Sequence, residues 1–236
     1  MENDSINKSP VAPPSREIAL IFGKTGMGKS NYIKGYLSEL HRVIILDPLD
    51  EYPAREFVEI GEMIDYLESL KPDEPFRVKS TNILNLDAMG EIVDSINDVT
   101  FIIEEAQRCL PASRQELPDS LQRIIFLGRH FGRSLVIAAQ RPSIVHIAAR
   151  SQWTRIVTFN LTEVGDVKWL EGTSGYDVEN ENDIRKLSVG DYFEITPGGF
   201  EKKRAPLYVP KRDGREEKDA VRNEWFDEIF SFAVNR

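Results

Sequence analysis

The sequence predicts an α/β fold: a mostly parallel central sheet sandwiched by helices, with a hairpin and a helix added at the C-terminal end. Three observations predict it. Short runs of consecutive apolar residues, such as Ile18–Phe22 and Val43–Leu46, alternate with stretches of helical periodicity. A strand that is apolar at every position is buried on both faces, the condition of a parallel sheet. A glycine-rich loop follows the first of these runs and opens a helix. Polar motifs then recur at strand ends, namely Gly23–Ser30, Asp47, Glu104-Glu105 and Gln140. That is the rim where parallel sheets bind ligands.

The elements follow in order. Residues 1–15 are polar and rich in Pro and Ser, and read as a flexible tail. Strand 18–22 leads through the glycine loop to a helix over about 30–40. Strand 43–47 ends in Asp47-Pro48-Leu49-Asp50-Glu51-Tyr52-Pro53. A helix over 60–70 is closed by Lys71-Pro72. A short strand at 76–79, a helix at 88–96 and a strand at 100–103 come next. A loop through Pro111 and Pro118 precedes a helix at 121–131. Strand 135–139 ends in Gln140-Arg141-Pro142, and strand 155–159 with helix 163–170 completes the alternation. Beyond Gly172 the pattern weakens. Stretches 191–196 and 205–209, joined around Gly198-Gly199, suggest an antiparallel hairpin. Residues 216–234 form a last helix whose apolar face includes Val221, Trp225 and Ile229. Packing on its own domain is the plain reading of that face, and a subunit or partner interface the sharper one.

The glycine loop reads Gly23-Lys24-Thr25-Gly26-Met27-Gly28-Lys29-Ser30. Strand, G-x-x-x-x-G-K-S, then helix is the P-loop in its required context. Its glycines let the backbone turn tightly and aim N–H groups at phosphate oxygens, assisted by the helix N-terminus. Lys29 is placed to reach the β- and γ-phosphates, and the Ser30 hydroxyl to ligate Mg²⁺. The expected ligands are therefore ATP and Mg²⁺.

Phe101-Ile102-Ile103-Glu104-Glu105 has the form of the strand that faces a P-loop across the nucleotide, the Walker B strand. Phosphoryl transfer to water needs a metal near the β/γ oxygens and a base that orients the water. Two consecutive acids can divide the tasks: Glu104 holds Mg²⁺ through water, and Glu105 polarises the nucleophile. An acidic cap on a strand-to-helix turn is the plainer alternative. Gln140, ending the following strand, is placed to sense the γ-phosphate or its water; alone it would read as a turn residue. An arginine from a neighbouring subunit can stabilise charge developing on the γ-phosphate. Arg155, at the start of a strand, is the first candidate, followed by Arg150, Arg129 and Arg133.

Composition narrows the class. The chain of 236 residues is 41% hydrophobic and 29% charged, fitting one large α/β domain. No apolar stretch reaches the length of a membrane span, and no signal peptide opens the chain. The single cysteine, Cys109, excludes an internal disulfide framework and reads as a buried small hydrophobe rather than a nucleophile. His41, His130 and His146 lack metal-ligand spacing. A net charge of −9 argues against a generally adhesive nucleic-acid binder. It leaves room for local basic surfaces at 123–133, 141–155 and 202–215, each of which alone reads as a solvated face.

Taken together, Gly23–Ser30, Ile45–Tyr52, Phe101–Gln107, Gly128–Pro142 and Thr154–Val157 resemble the FtsK/HerA superfamily of DNA-pumping ATPases. The stretch running into Gln140-Arg141-Pro142 is the most diagnostic. The resemblance covers roughly residues 17–160, the motor core of a P-loop ATPase domain spanning 16–236, with the hairpin and helix at about 187–234. It implies a P-loop NTPase fold of the RecA/ASCE type, hydrolysis of ATP, a ring of subunits (a hexamer) and double-stranded DNA as partner. The family's usual Asp-Glu is Glu104-Glu105 here; the base role carries to Glu105 and the trans arginine to Arg155. The chain has little beyond the motor, which resembles the minimal genome-packaging ATPases of viruses. That implies packaging into a preformed capsid, with capsid vertex or portal proteins as partners, in the host cytoplasm or associated with the virion. A cellular HerA-like ATPase of DNA processing, conjugation or defence is the alternative. A P-loop small-molecule kinase is the remote one, since Glu104-Glu105 and Gln140 favour water as acceptor.

Overall fold

A computed structural model of the chain describes residues 17–111, 115–175 and 183–206. The predicted tail and the C-terminal helix at 216–234 lie outside the described residues.

A nine-stranded sheet organises the fold. In chain order the elements are β1 (Ile18–Phe22), α1 (Lys29–Leu37), β2 (Arg42–Leu46), β3 (Arg55–Glu56), α2 (Ile60–Glu68), β4 (Phe76–Ser80), α3 (Leu86–Ser95), β5 (Thr100–Ile103), α4 (Ala106–Cys109), α5 (Asp119–Leu127), β6 (Ser134–Ala139), α6 (Ile147–Ser151), β7 (Arg155–Thr158), α7 (Val164–Ser174), β8 (Asp191–Thr196) and β9 (Gly199–Arg204). The strand order is β3-β4-β2-β5-β6-β1-β7-β8-β9. All pairings from β3 to β7 are parallel; β8 and β9 add antiparallel to the β7 edge.

The apolar runs form the strands because burial on both faces demands it. Every residue of β1, β5 and β6 is buried. Alternate residues feed two core layers: Ile18, Leu20 and Phe22 face one, Ala19 and Ile21 the other. Burying one such side chain is worth about 1.5–3 kcal/mol. Register brings the strand ends level, with Phe22 opposite Ala139 and Thr158, and Ile103 opposite Leu46 and Ile137. The loops after β1, β2, β5, β6 and β7 therefore open on one edge. β6 lies between the P-loop strand β1 and the acidic strand β5.

Three elements depart from expectation by four residues or more at a boundary. The hairpin's second strand is Gly199–Arg204, not 205–209. A two-residue Pro197-Gly198 turn sets Thr196 opposite Gly199. As an edge strand wet on nearly every side chain, it shows no apolar alternation to be read. The helix expected over 121–131 ends at Leu127 and tightens to a 3₁₀ turn at Gly128–Phe131, which Gly132 closes in the left-handed region. The helix expected over 163–170 continues to Ser174.

Candidate active site

The P-loop leaves β1 through Gly23, at φ 150°, and enters α1 through Gly28, at φ 110°, both unfavourable for a side chain. Packing adds a second reason for glycine. A Cβ on Gly23 would lie 2.6 Å from the Phe159 Cβ, and one on Gly28 would lie 3.3 Å from the Phe159 ring and 3.4 Å from the Gly190 Cα. Phe159, the residue after β7, is the floor on which the loop rests. Two backbone bonds pin it: Lys24 N–H donates to the Asn160 carbonyl (3.3 Å) and Gly190 N–H to the Met27 carbonyl (3.0 Å). Lys24, Thr25 and Gly26 are exposed at the tip, while Met27, Gly28 and Ser30 are half-buried.

Lys29 is 6% exposed and donates to the Gly23 carbonyl at 2.8 Å and the Lys24 carbonyl at 3.4 Å. Burial lowers its pKa, opposed by the nearby Glu104, Glu105 and Glu51. One ammonium thus faces three carboxylates from two other strand ends.

Glu104 follows β5 at 1% exposure. Burial pushes its carboxyl up to about 8; the Tyr52 hydroxyl beside it and Lys29 act the other way, while Glu51 and Glu105 add to the rise. Glu105 stands at φ 47°, ψ 49°, a left-handed conformation rare for a residue with a side chain. It caps α4 and turns the chain sharply off the strand, and its carboxylate accepts a hydrogen bond from Gln107. Gln140 is half-buried directly after β6, on the same edge between the two motifs.

A further group that sequence reasoning did not assemble sits at the end of β2. Asp47, fully buried, accepts from Glu51 N–H (3.1 Å) and Tyr52 N–H (2.9 Å). Lys79 of β4, 6% exposed, lies 3.6 Å from Asp47, pairs with Asp50, and donates to the Tyr52 carbonyl at 2.7 Å. Burial raises the Asp47 pKa, while those two N–H groups and Lys79 restrain it. The loop is thereby folded so that Tyr52, 1% exposed, points its hydroxyl at Glu104 and Ser30. In the sequence Lys79 is only one of two basic residues in the short strand Phe76-Arg77-Val78-Lys79-Ser80.

The oxygens here fit a hard divalent cation. Glu104 Oε2 is buried with no well-formed hydrogen bond, near Lys29 and the Tyr52 hydroxyl, and Ser30 lies by that same hydroxyl. Among the described residues no three His, Cys, Asp or Glu converge to hold a metal by themselves. A cation bound by one hydroxyl, one carboxylate and a nucleotide's phosphates matches that donor set.

Arg155 starts β7, as expected. The start of a parallel strand lies on the edge opposite the P-loop. There its guanidinium is only 19% exposed, paired with Glu17, 3.5 Å from Glu194 and stacked over Tyr36. To act as a trans finger it would have to leave these partners. Arg133 is likewise bound to Asp94 (2.6 Å) and the Ile96 carbonyl (2.9 Å), and Arg150 lies over Trp169. Arg129 is exposed. Arg141 ties the loop after Gln140 to α7 through Asp166 at 2.7 Å. Cys109 is half-buried, and burial holds its thiol up at about 12, in keeping with an inert side chain.

Comparison with known proteins fits this arrangement. The family model described as "Helicase HerA, central domain" matches residues 16–92. The probable DNA double-strand break repair helicase HerA of Methanocaldococcus jannaschii is 29% identical over 137 residues, 54% of this chain and 26% of that protein. The chain thus spans about a quarter of that relative's length. Among solved structures, the genome packaging NTPase B204 of Sulfolobus turreted icosahedral virus 2, in complex with AMPPCP, superposes with a TM-score of 0.65 at 15% identity. That match covers 83% of this chain and 100% of B204. The cytoplasmic domain of the Thermomonospora curvata type VII secretion ATPase EccC matches with a TM-score of 0.54 at 11% identity, over 81% of this chain and 24% of that one. At these identities the structural likeness is one of fold. The fold is that of P-loop ATPases, and the chain resembles the FtsK/HerA type. No helix among the described residues is long and apolar enough to cross a membrane.

Proposed function

We propose that this chain is an ATP-hydrolysing motor acting on double-stranded DNA. The observation that carries the reading is the convergence on one sheet edge of Lys29 after β1, Glu104 and Glu105 after β5, and Gln140 after β6.

Each group then has a task. The loop backbone and Lys29 hold the β- and γ-phosphates. Ser30 and Glu104 would hold Mg²⁺, which when bound offsets charge on the bridging and γ-phosphate oxygens. Glu105 accepts a hydrogen bond from a water in line with the γ-phosphorus. As that water attacks, the bond to the β-phosphate oxygen breaks, ADP leaves, and the water's proton passes to Glu105. Gln140 orients the same water or the γ-phosphate. In a ring, an arginine of the neighbouring subunit meets the charge that develops on the γ oxygens. Lys24–Gly26 at the exposed tip complete the cradle.

The finer reading is packaging of a viral genome into a preformed capsid, by a hexameric ring docked on a vertex or portal in the host cytoplasm. The match to a packaging NTPase over that protein's whole length supports it. The match to the HerA central domain supports the alternative, a cellular DNA-processing motor. Neighbouring genes separate the two: capsid genes for packaging, a nuclease gene for processing.

Steady-state ATP hydrolysis with and without long double-stranded DNA, at low salt, tests the common core, because phosphate contacts weaken steeply with salt. The expected result is strong stimulation by DNA. Robust turnover indifferent to DNA would remove DNA as the substrate.

A further inference from the structure

The Tyr52 hydroxyl is out of place in physical terms. The side chain is 1% exposed and packs with Ile45, Ile102 and Ile33 in the core layer beneath the P-loop. A phenylalanine would fill the same space. Yet its oxygen is buried without a well-formed hydrogen bond, which costs stability. The backbone of Tyr52 is held at both ends: Asp47 accepts from its N–H and Lys79 donates to its carbonyl. The phenol is therefore aimed, and what it is aimed at is Ser30 and Glu104. Glu104 Oε2 is a second buried oxygen without a well-formed partner, and Glu51 Oε2, from the preceding residue, is a third.

We propose that Tyr52 is a positioning residue of the metal–nucleotide site, held by the buried Asp47–Lys79 pair and bridging Ser30 to Glu104. This inference rests on the nucleotide-binding reading above. A hydroxyl both donates and accepts. In the loaded site the phenol would donate to the Glu104 carboxylate and accept from the Ser30 hydroxyl, bonds that are not well formed without nucleotide, which would leave the Ser30 lone pairs for the cation. No atom of Tyr52 touches the metal; it fixes the direction of the two groups that would. Groups behind metal ligands commonly govern metal affinity in this way.

Binding of the β,γ-imido analogue of ATP to the full chain, measured by calorimetry in Mg²⁺ and again in EDTA, tests it. In Tyr52→Phe the ratio of the two affinities should fall about tenfold relative to wild type, with affinity in EDTA kept within about twofold. The thermal midpoint without nucleotide should be equal or higher, since an unsatisfied buried oxygen has gone. A merely structural Tyr52 would lower the midpoint and leave the Mg²⁺ ratio alone. A wild-type ratio in a well-folded Tyr52→Phe protein overturns the inference while leaving the nucleotide site standing. Binding by wild type without any Mg²⁺ dependence does the same. Wild type that binds the analogue in neither condition overturns the nucleotide reading itself, and this inference with it.

Discussion

The two edges of the sheet carry similar charged residues and use them in opposite ways. On the edge where the parallel strands begin, charges are mostly paired. Arg133 holds Asp94 and the Ile96 carbonyl, Arg123 holds Asp94 and Glu91, and Arg155 holds Glu17. On the edge where the strands end, charges are buried and left short. Lys29 faces three carboxylates, and Glu51, Tyr52 and Glu104 each keep a buried oxygen without a well-formed partner. Buried polar groups are ordinarily satisfied. On the first edge the exceptions are single nitrogens, the Nε atoms of Arg42, Arg77 and Arg155, in guanidiniums otherwise engaged by Phe76, the Leu37 carbonyl and Glu17. On the second they are oxygens, of Glu51, Tyr52 and Glu104, which a bound cation with its ligands would satisfy.

Exchanging charged residues on the two edges should therefore give opposite phenotypes. The largest effect is on chemistry. Lys29→Ala should abolish nucleotide binding. Glu105→Gln should keep binding and lose turnover by about 10²–10⁴-fold, the usual contribution of a positioned acid or base. Near-normal turnover in Glu105→Gln would mean that the base lies elsewhere. On the opposite edge, Arg133→Met should cost about 2 kcal/mol of stability, because it takes one of two arginines from Asp94 and the Arg133 bond from the Ile96 carbonyl. Nucleotide affinity per folded molecule should be unchanged. Denaturant melts and nucleotide titrations on both variants would show the crossed pattern or its absence.

The short-changed edge also has a pH signature. The Glu104 carboxyl is raised from its ordinary 4.5 to about 8. Between those values the native state keeps a proton that the unfolded chain has lost. Stability of the nucleotide-free protein therefore falls as pH rises from about 4.5 to 8, and the full penalty is present above 8. Asp47 is raised as well and slopes the same way. A loss on the order of 2 kcal/mol across the window is expected, softened by relaxation around the carboxylate. Glu104→Gln should flatten most of it. Stability that is level or rising over that window in the wild-type protein would show Glu104 ionised throughout.

The satisfied parts of the molecule were the readable ones. Strands β1, β2, β5 and β6 announce themselves because each is apolar at consecutive positions and buried on both faces. The P-loop is readable because its backbone conformation demands glycine. Strand β9 was misplaced because an exposed edge strand leaves no periodic trace. Arg155 starts β7 as read, but its pairing with Glu17 and Glu194 joins distant segments and left no trace in the sequence. Tyr52 and Lys79 were not assembled because their meeting, 27 residues apart in the chain, depends on the pairing of β2 with β4. Pattern within one element carries no trace of such a pairing. The same holds for the backbone of Glu105.

That backbone gives the smallest effect and the sharpest test of the comparison. Glu105 occupies the left-handed region at φ 47°, which costs a residue with a side chain about 1–2 kcal/mol. Asparagine tolerates that conformation better than glutamate. Glu105→Asn should therefore stabilise the protein by about 1 kcal/mol, read in a denaturant melt, while removing turnover. Gain and loss would come from one side chain: the conformation that aims the carboxylate off the end of β5 is the one that glutamate adopts at a cost. If Glu105→Asn were less stable than wild type, the left-handed turn would be held by the glutamate side chain itself, through its bond with Gln107. The acid would then hold the loop as well as serve the chemistry, and the division between a stabilising edge and a functional edge would fail at that residue.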